Sequence, residues 1–206
     1  MAAFPDVADS GYRDGVSIGG PESQGDAFEE IEQLREKIAR LEERVRTLDA
    51  LAHQDALVSV PNRRGFMREL EAMIARVSRY GEGAAMLFVD IDGLKRINDS
   101  FGHKAGDEAL IQVAAALTNG VRKSDCVGRL GGDEFGILLA HATEETARET
   151  AARLTAAIED QESHCDGNRL PLSVAIGATL ISANDSPDEV IARADRAMYA
   201  EKSAAA

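Results

Sequence analysis

Cysteine is scarce in this chain. Its 206 residues hold two, Cys126 and Cys165, which form no CxxC-type ligand spacing, so a zinc site or disulfide framework has no support and a reducing compartment fits better. Basic charge is in deficit too. Against 36 Asp and Glu stand 23 Lys and Arg, and a formal charge of −13 would repel a nucleic-acid backbone or an anionic membrane surface. No apolar run is long enough to span a bilayer, and the N-terminus has no basic start followed by an apolar core. These absences lead to the expectation of a cytoplasmic protein with neither nucleic acid nor membrane as partner. A small anionic ligand stays compatible with the acidity if metal ions offset the local charge.

What the chain does have is length for one domain with a sizeable core plus an appendage. Residues 1–25 are rich in Gly, Ser, Pro and Asp without a sustained period, the composition of a disordered tail. From Asp26 the apolar residues recur in steps of three and four. Ile31, Ile38 and Val45 fall at heptad position a, and Leu34, Leu41 and Leu48 at d, a combination that favours a parallel two-stranded coiled coil. Glu30, Lys37 and Arg44 at g would face Arg35, Glu42 and Asp49 at e of a partner chain. The competing reading is a single amphipathic helix packed on its own domain. The expected organisation is therefore a tail over 1–25, a dimerising helix over 26–52 and a domain over 53–206.

That domain reads as α+β, a sheet covered by helices. Asn62 can cap a helix running to about Tyr80, with Gly81 as its stop. Ala84 to Ile91 is a largely buried strand ending in acid at Asp90 and Asp92. A short helix follows from about Leu94 and another spans about Ala105–Leu117. Strands near Asp125–Leu130 and Glu134–Ala140 form a hairpin, a helix covers roughly 143–162, and a strand covers Leu172–Ile181. The last helix opens at Ser186-Pro-Asp-Glu189, with a capping serine, proline in the first turn and glutamate three residues after the cap.

The hairpin turn, Arg129-Leu-Gly-Gly-Asp-Glu-Phe135, carries two glycines and two adjacent carboxylates. Turn chemistry alone accounts for the glycines. If the hairpin lies beside the strand ending in Asp90, carboxylates from two elements converge at one end of the sheet. Hard oxygen ligands of that kind suit Mg²⁺ or Mn²⁺, whose shells are completed by water and substrate phosphates. Gly131 and Gly132 would then also let the backbone approach a ligand closely. Asp92-Gly-Leu-Lys95 opens a helix whose free N–H groups, with Lys95, can hold phosphate oxygens.

The segments FVDIDGLKRINDSFGHKAGDEAL (88–110) and RLGGDEF (129–135) resemble the GGDEF domain of diguanylate cyclases. The flanking Asp55-Ala-Leu … Pro-Asn-Arg-Arg-Gly-Phe66 and Ala194-Asp-Arg-Ala-Met-Tyr-Ala-Glu-Lys202 match its outer motifs, so the resemblance covers roughly residues 52–204. It implies a palm-like fold related to nucleotide polymerases and adenylyl cyclases, one GTP per domain, and two facing domains that make cyclic di-GMP and two pyrophosphates. It also implies two Mg²⁺ or Mn²⁺ ions held by Asp90, the backbone carbonyl of Ile91 and Asp133. Asn98 and Asp107 would hydrogen-bond the guanine edge, Lys95 and Lys202 would contact the β- and γ-phosphates, and Glu134 would lie near the attacking ribose.

Each of these residues also has an ordinary reading. Asn98 is suited to ending a helix, Asp107 to a first turn, and Lys95 to a solvated surface. Their ordered combination favours the site. Three positions depart from the family pattern: Leu57-Val-Ser-Val60 replaces the usual Leu-Thr-Gly-Leu, Leu94 replaces phenylalanine, and Ser203-Ala-Ala-Ala206 stands where a Gly-Arg often adds a phosphate contact. Arg122-Lys-Ser-Asp125 resembles the family's inhibitory product-binding R-x-x-D in motif and register, whereas Arg46-Thr-Leu-Asp49 has the pattern without the register. The implied function is a diguanylate cyclase with product inhibition. The alternative is a non-catalytic receptor for GTP or cyclic di-GMP, against which the intact Asp90, Asp133 and Glu134 argue.

Overall fold

The computed structural model describes residues 21–165 and 167–204. Most of the segment read as a tail, residues 1–20, lies outside the described residues. The chain divides into two compact units, one ending at Thr47 and one starting at Leu48. Helix α1 (Pro21–His53) supplies the described part of the first, beginning five residues earlier than the heptad pattern indicates. Its heptad residues Ile31, Leu34, Ile38, Leu41 and Val45 are all exposed. Ahead of Leu48 its described ion pairs run within the helix, Arg35 to Glu32 at 2.9 Å and Arg46 to Glu43 at 2.7 Å, whereas Asp49, in the second unit, lies 3.7 Å from Arg68.

The second unit is an α+β palm-like fold. Its elements follow in the order α2 (Arg63–Tyr80), β1 (Ala84–Ile91), α3 (Leu94–Phe101), α4 (His103–Asn119), β2 (Cys126–Arg129), β3 (Glu134–Ala140), α5 (Glu144–Glu159), β4 (His164–Cys165), β5 (Asn168–Arg169), β6 (Val174–Leu180) and α6 (Pro187–Ala204). The main sheet has the order β2-β3-β1-β6, with every neighbouring pair antiparallel. The two-residue strands β4 and β5 form a small separate hairpin that the sequence pattern did not predict.

Strand β1 is apolar along nearly its whole length because helices cover both faces of the sheet. Ala85, Leu87, Val89 and Ile91 enter the core shared with α3, α4 and α5, while Met86 and Phe88 enter the core shared with α2 and α6. Local signals set the helix ends. The Asn62 side chain accepts from Gly65 N, and Gly81 closes α2 at φ 68°, a conformation that glycine adopts without steric cost. Thr143 and Thr146 form a reciprocal cap on α5, and Ser186 and Glu189 do the same for α6.

Two close approaches fix α2 and α6 against the sheet. Gly128 and Gly136 are directly paired across the β2–β3 hairpin, and a β-carbon on either would run into the ring of Phe66, which is fully buried. The absent side chains let α2 settle onto the hairpin. A β-carbon on Gly177 of β6 would overlap the backbone of Ala194 and Met198, so α6 passes against the sheet there and delivers its C-terminal turn to the end of β1.

Candidate active site

The carboxylates meet as the pairing of β1 with β3 dictates. Asp90 is the register partner of Glu134, and Ile91 N donates to the Asp133 carbonyl at 3.1 Å. Asp90, Ile91, Asp133 and Glu134 are therefore gathered at one end of two adjacent strands. Of the four, Ile91 is buried on the opposite face, so its backbone rather than its side chain is what it contributes here. The turn is closed by Leu130 N donating to Glu134 O at 2.8 Å and Gly131 N to the same oxygen at 3.3 Å. The Glu134 carboxylate folds back over Gly131, where a β-carbon would collide with Oε2, while Gly132 faces open space.

The site is electrostatically loaded. Burial raises the Glu134 pKa above its ordinary value, and the charges of Asp133, Asp90 and Asp195 push in the same direction against Arg63. Lys202, in the last turn of α6, answers part of this charge: Nζ lies 2.5 Å from Asp90 Oδ1 and 3.0 Å from Asp92 Oδ1. The hydrogen bond to Asp90 raises the Lys202 pKa, and the bond to Asp92 adds to it, despite partial desolvation. Lys202 here neutralises the carboxylates, whereas the resemblance implies a phosphate contact.

The residues implied for the base lie on the α3–α4 helical hairpin. Asn98 is half-buried on α3, and its Oδ1 fills the place that a β-carbon on Gly106 of α4 would take. Gly102, at φ 84°, makes the sharp junction, and its N–H donates to Asn98 O at 2.9 Å. Helix α4 starts at His103 rather than near Ala105, because that glycine allows the chain to re-enter a helix at once. Asp107 and Lys95 are exposed, the first early in α4 and the second in the first turn of α3.

Arg122 and Asp125 belong to a different place, at the far end of β2. With His141, Thr146 and Arg153 they line a cavity of about 160 Å³. Asp125 is fixed by its surroundings, accepting from Arg122 N at 3.0 Å and from Ala140 N at 3.1 Å. Sequence reading did not single out Arg153, which α5 brings to this cavity; nothing in the residues flanking it marks it. Asp195 was likewise missed as a member of the acidic site, although it stands inside the quoted terminal motif. The larger cavity, about 1300 Å³, runs along the outer edge of β6 between α5 and α6 and shares Asp92 and Lys202 with the site.

Among the described residues no three His, Cys, Asp or Glu side chains form a ready-made metal cluster. Two carboxylates and a backbone carbonyl are nonetheless the hard-oxygen complement that Mg²⁺ accepts when substrate phosphates and water supply the remaining ligands. The residues fit the group. Among the described residues no helix is long and apolar enough to cross a membrane, and both cysteines are free.

Comparison with known proteins agrees with this geometry. The chain is 37% identical over 174 residues to the diguanylate cyclase TpbB of Pseudomonas aeruginosa, an alignment spanning 84% of this chain and 40% of TpbB. A solved structure of the TpbB GGDEF domain superposes with a TM-score of 0.68 at 37% identity, covering 73% of this chain and 88% of that one. The coiled coil and GGDEF domain of DgcB from Caulobacter crescentus, solved in complex with c-di-GMP, has a TM-score of 0.80 at 23% identity, covering 86% and 95%, which shows a shared fold. The chain thus spans less than half the length of the curated relatives it first matches. Residues 52–206 match the family described as "Diguanylate cyclase, GGDEF domain", and the chain belongs to that family.

Proposed function

We propose that this protein condenses two GTP molecules into cyclic di-GMP and two pyrophosphates, working as a homodimer of half-sites. The observation that carries the reading is the meeting of Asp90, Asp133 and Glu134 beside the Ile91 backbone at one end of β1 and β3. In each half-reaction the 3′-oxygen of one GTP attacks the α-phosphorus of the other. A P–O bond forms, the bond to the bridging β-phosphate oxygen breaks, pyrophosphate leaves and the hydroxyl proton is lost. Two such events close the ring.

Asp90, Asp133 and the Ile91 carbonyl would hold two Mg²⁺ or Mn²⁺ ions. When bound, such ions ease deprotonation of the 3′-hydroxyl and offset charge on the α-phosphate and leaving pyrophosphate. Lys202 lies between Asp90 and Asp92, and its flexible stem would let the ammonium reach the β- and γ-phosphates with Asp90 engaged as a metal ligand. Lys95 adds a second positive charge at the start of α3. Asn98 and Asp107 would read guanine, with the carboxylate accepting from N1–H and the exocyclic amine. Gly131 and Gly132 would give the nucleotide access to the backbone, and Glu134 would sit near the attacking ribose.

Because one domain takes one GTP, synthesis needs two chains. The exposed stripe of Ile31, Leu34, Ile38, Leu41 and Val45 supports pairing of α1 as a parallel coiled coil within residues 26–52, ahead of the catalytic domain at 53–206. Arg122 and Asp125 would bind the product and inhibit the enzyme. Incubating purified protein with GTP and Mg²⁺, then measuring cyclic di-GMP and pyrophosphate, tests the reading. Stoichiometric formation of one and two molecules respectively is expected. Nucleotide binding without either product would instead identify a receptor.

A further inference from the structure

The Gly-Gly turn is shaped from outside its own hairpin hydrogen bonds. Arg129, at the end of β2, donates from Nε to Gly131 O at 3.1 Å and Gly132 O at 3.3 Å, and from Nη2 to Gly132 O at 2.7 Å. Its Nη1 donates to Asp55 Oδ1 at 3.2 Å and Oδ2 at 3.4 Å. Asp55 is itself held, since Oδ1 accepts from Leu57 N at 2.9 Å and Val58 N at 3.0 Å. The pair is largely shielded, with side-chain exposures of 15% for Arg129 and 19% for Asp55. Burial alone would raise the Asp55 pKa, but the N–H groups of Val58 and Leu57 and the Arg129 guanidinium outweigh it and hold the carboxyl below its ordinary value.

This grip determines where the neighbouring N–H groups face. No peptide bond among the described residues is cis, so within each peptide plane the N–H lies opposite the C=O. With the Gly131 carbonyl turned to Arg129, the Gly132 N–H is turned away from it; with the Gly132 carbonyl turned likewise, so is the Asp133 N–H. Neither N–H has an acceptor among the described residues, whereas Gly131 N is already bonded to Glu134 O. A β-carbon on Gly132 would meet nothing within 4 Å, so the space beside these donors is open. Successive unpaired backbone N–H groups of this kind are an anion-binding arrangement.

We propose that Arg129, seated on Asp55, is a positioning residue for nucleotidyl transfer: by holding back the Gly131 and Gly132 carbonyls it keeps the Gly132 and Asp133 N–H groups directed at an anionic oxygen of the nucleotide's phosphate chain. The inference rests on the function proposed above and deepens it. Only the guanidinium fork can engage two carbonyls and a carboxylate together, so lysine is not an equivalent. Loss of the grip misplaces the turn without removing any group that touches nucleotide.

The test uses the full chain as wild type, Arg129→Lys, Arg129→Gln and Asp55→Asn. Melting temperature, kcat and KM for GTP with Mg²⁺, and amide hydrogen exchange at residues 131–134 with and without a non-hydrolysable GTP analogue are measured. Both Arg129 variants are expected to lose kcat by about tenfold to a hundredfold, the scale for misplacing a reacting group, with KM changed far less. Asp55→Asn should show a smaller loss in the same direction, because its amide oxygen still accepts from Leu57 and Val58. In wild type the analogue should slow exchange at Gly132 and Asp133, and in the Arg129 variants that protection should be lost. Arg129→Lys guards against an unfolded glutamine variant. If kcat is retained within twofold in a folded Arg129 variant, or if the analogue protects the two amides equally there or not at all in wild type, the proposal is overturned. Should wild type bind the analogue with this protection but release no cyclic di-GMP, the cyclase reading falls, and what stands for Arg129 is the aiming of the Gly132 and Asp133 N–H groups at bound nucleotide, read by hydrogen exchange alone.

Discussion

Asn98 Oδ1 occupies the place of a missing β-carbon on Gly106, so one residue of α4 defines the seat of a side chain on α3. The atom in the way is the far end of a side chain rather than backbone. Gly106→Ala would therefore displace the Asn98 amide at small packing cost, and alanine is favoured over glycine inside a helix by about 1 kcal/mol. The expected outcome is a protein that melts no lower than wild type yet has a KM for GTP raised about tenfold. Calorimetry and steady-state kinetics on the same preparation check this. A variant with unchanged KM would remove Asn98 from the guanine contact.

Asp133→Asn should abolish synthesis while leaving secondary structure and melting temperature near those of wild type. The substitution removes a charge with little change in volume, and the backbone bond from Ile91 N to the Asp133 carbonyl is independent of the side chain. Near-wild-type turnover in Mg²⁺ would exclude the Asp133 carboxylate from the site.

Much of the fold was legible in the sequence because the relevant signals are local. Asn62, Gly81 and Ser186 act within a few residues of themselves, and β1 is an uninterrupted apolar run whose two faces are both covered. The carboxylate site was legible for a related reason, since Asp90 and Asp133 both stand at strand ends. The remainder depends on distance. Arg129 reaches Asp55 across 74 positions, and Arg153 joins Arg122 only because α5 packs against α4, whose end leads into Arg122. Gly106 reads as an ordinary first-turn glycine until Asn98 is seen against it. The β4–β5 hairpin, with two residues per strand, is too short to carry any periodicity.

At acid pH the clasp between β6 and α6 should give way. Arg193 donates to Asp185 Oδ1 at 2.9 Å and Oδ2 at 2.7 Å and also to Leu180 O at 2.8 Å. The hydrogen bond from Arg193 is the largest cause lowering the Asp185 pKa below 3.8. A depressed carboxyl contributes stability that is present above its unfolded value and lost as pH falls through the folded one. Asp185→Asn should thus cost about 1.5–3 kcal/mol at neutral pH, the range for a hydrogen bond to a charged group. In urea denaturation that difference should shrink as pH drops below 3.8, where a constant difference would show that the pair is not the source.

The 206-residue chain should sediment as a dimer, and removal of residues 27–52 should yield a monomer whose specific activity falls as it is diluted. Two domains tethered by a coiled coil meet at an effective concentration set by the tether, whereas free domains meet at their bulk concentration. Leu34→Asp with Leu41→Asp should reproduce the loss without shortening the chain, because both residues are exposed in the single helix and their burial depends on a partner. Full activity of the truncated protein at nanomolar concentration would show that the domains associate through another surface.

Cyclic di-GMP should inhibit the enzyme without competing directly for the GTP pocket. Arg122 and Asp125 line a cavity at the opposite end of β2 from the Gly-Gly turn, and the same cavity receives Arg153 and His141. Arginine can grip a phosphate or the O6/N7 edge of guanine through two parallel bonds, so a guanine dinucleotide matches the positive lining. Asp125 already spends acceptor capacity on Arg122 N and Ala140 N, which orients its carboxylate and leaves the Arg122 guanidinium as the more accessible contact. Arg122→Ala should accordingly raise the inhibitory concentration of added cyclic di-GMP about tenfold or more while leaving kcat and KM near wild type, the loss expected from removing one charge-assisted bidentate contact. Arg153→Ala should act in the same direction. Inhibition that disappears at saturating GTP would instead locate the product in the substrate pocket, and equal inhibition of wild type and Arg122→Ala would return Arg122 and Asp125 to a purely structural role at the start of β2.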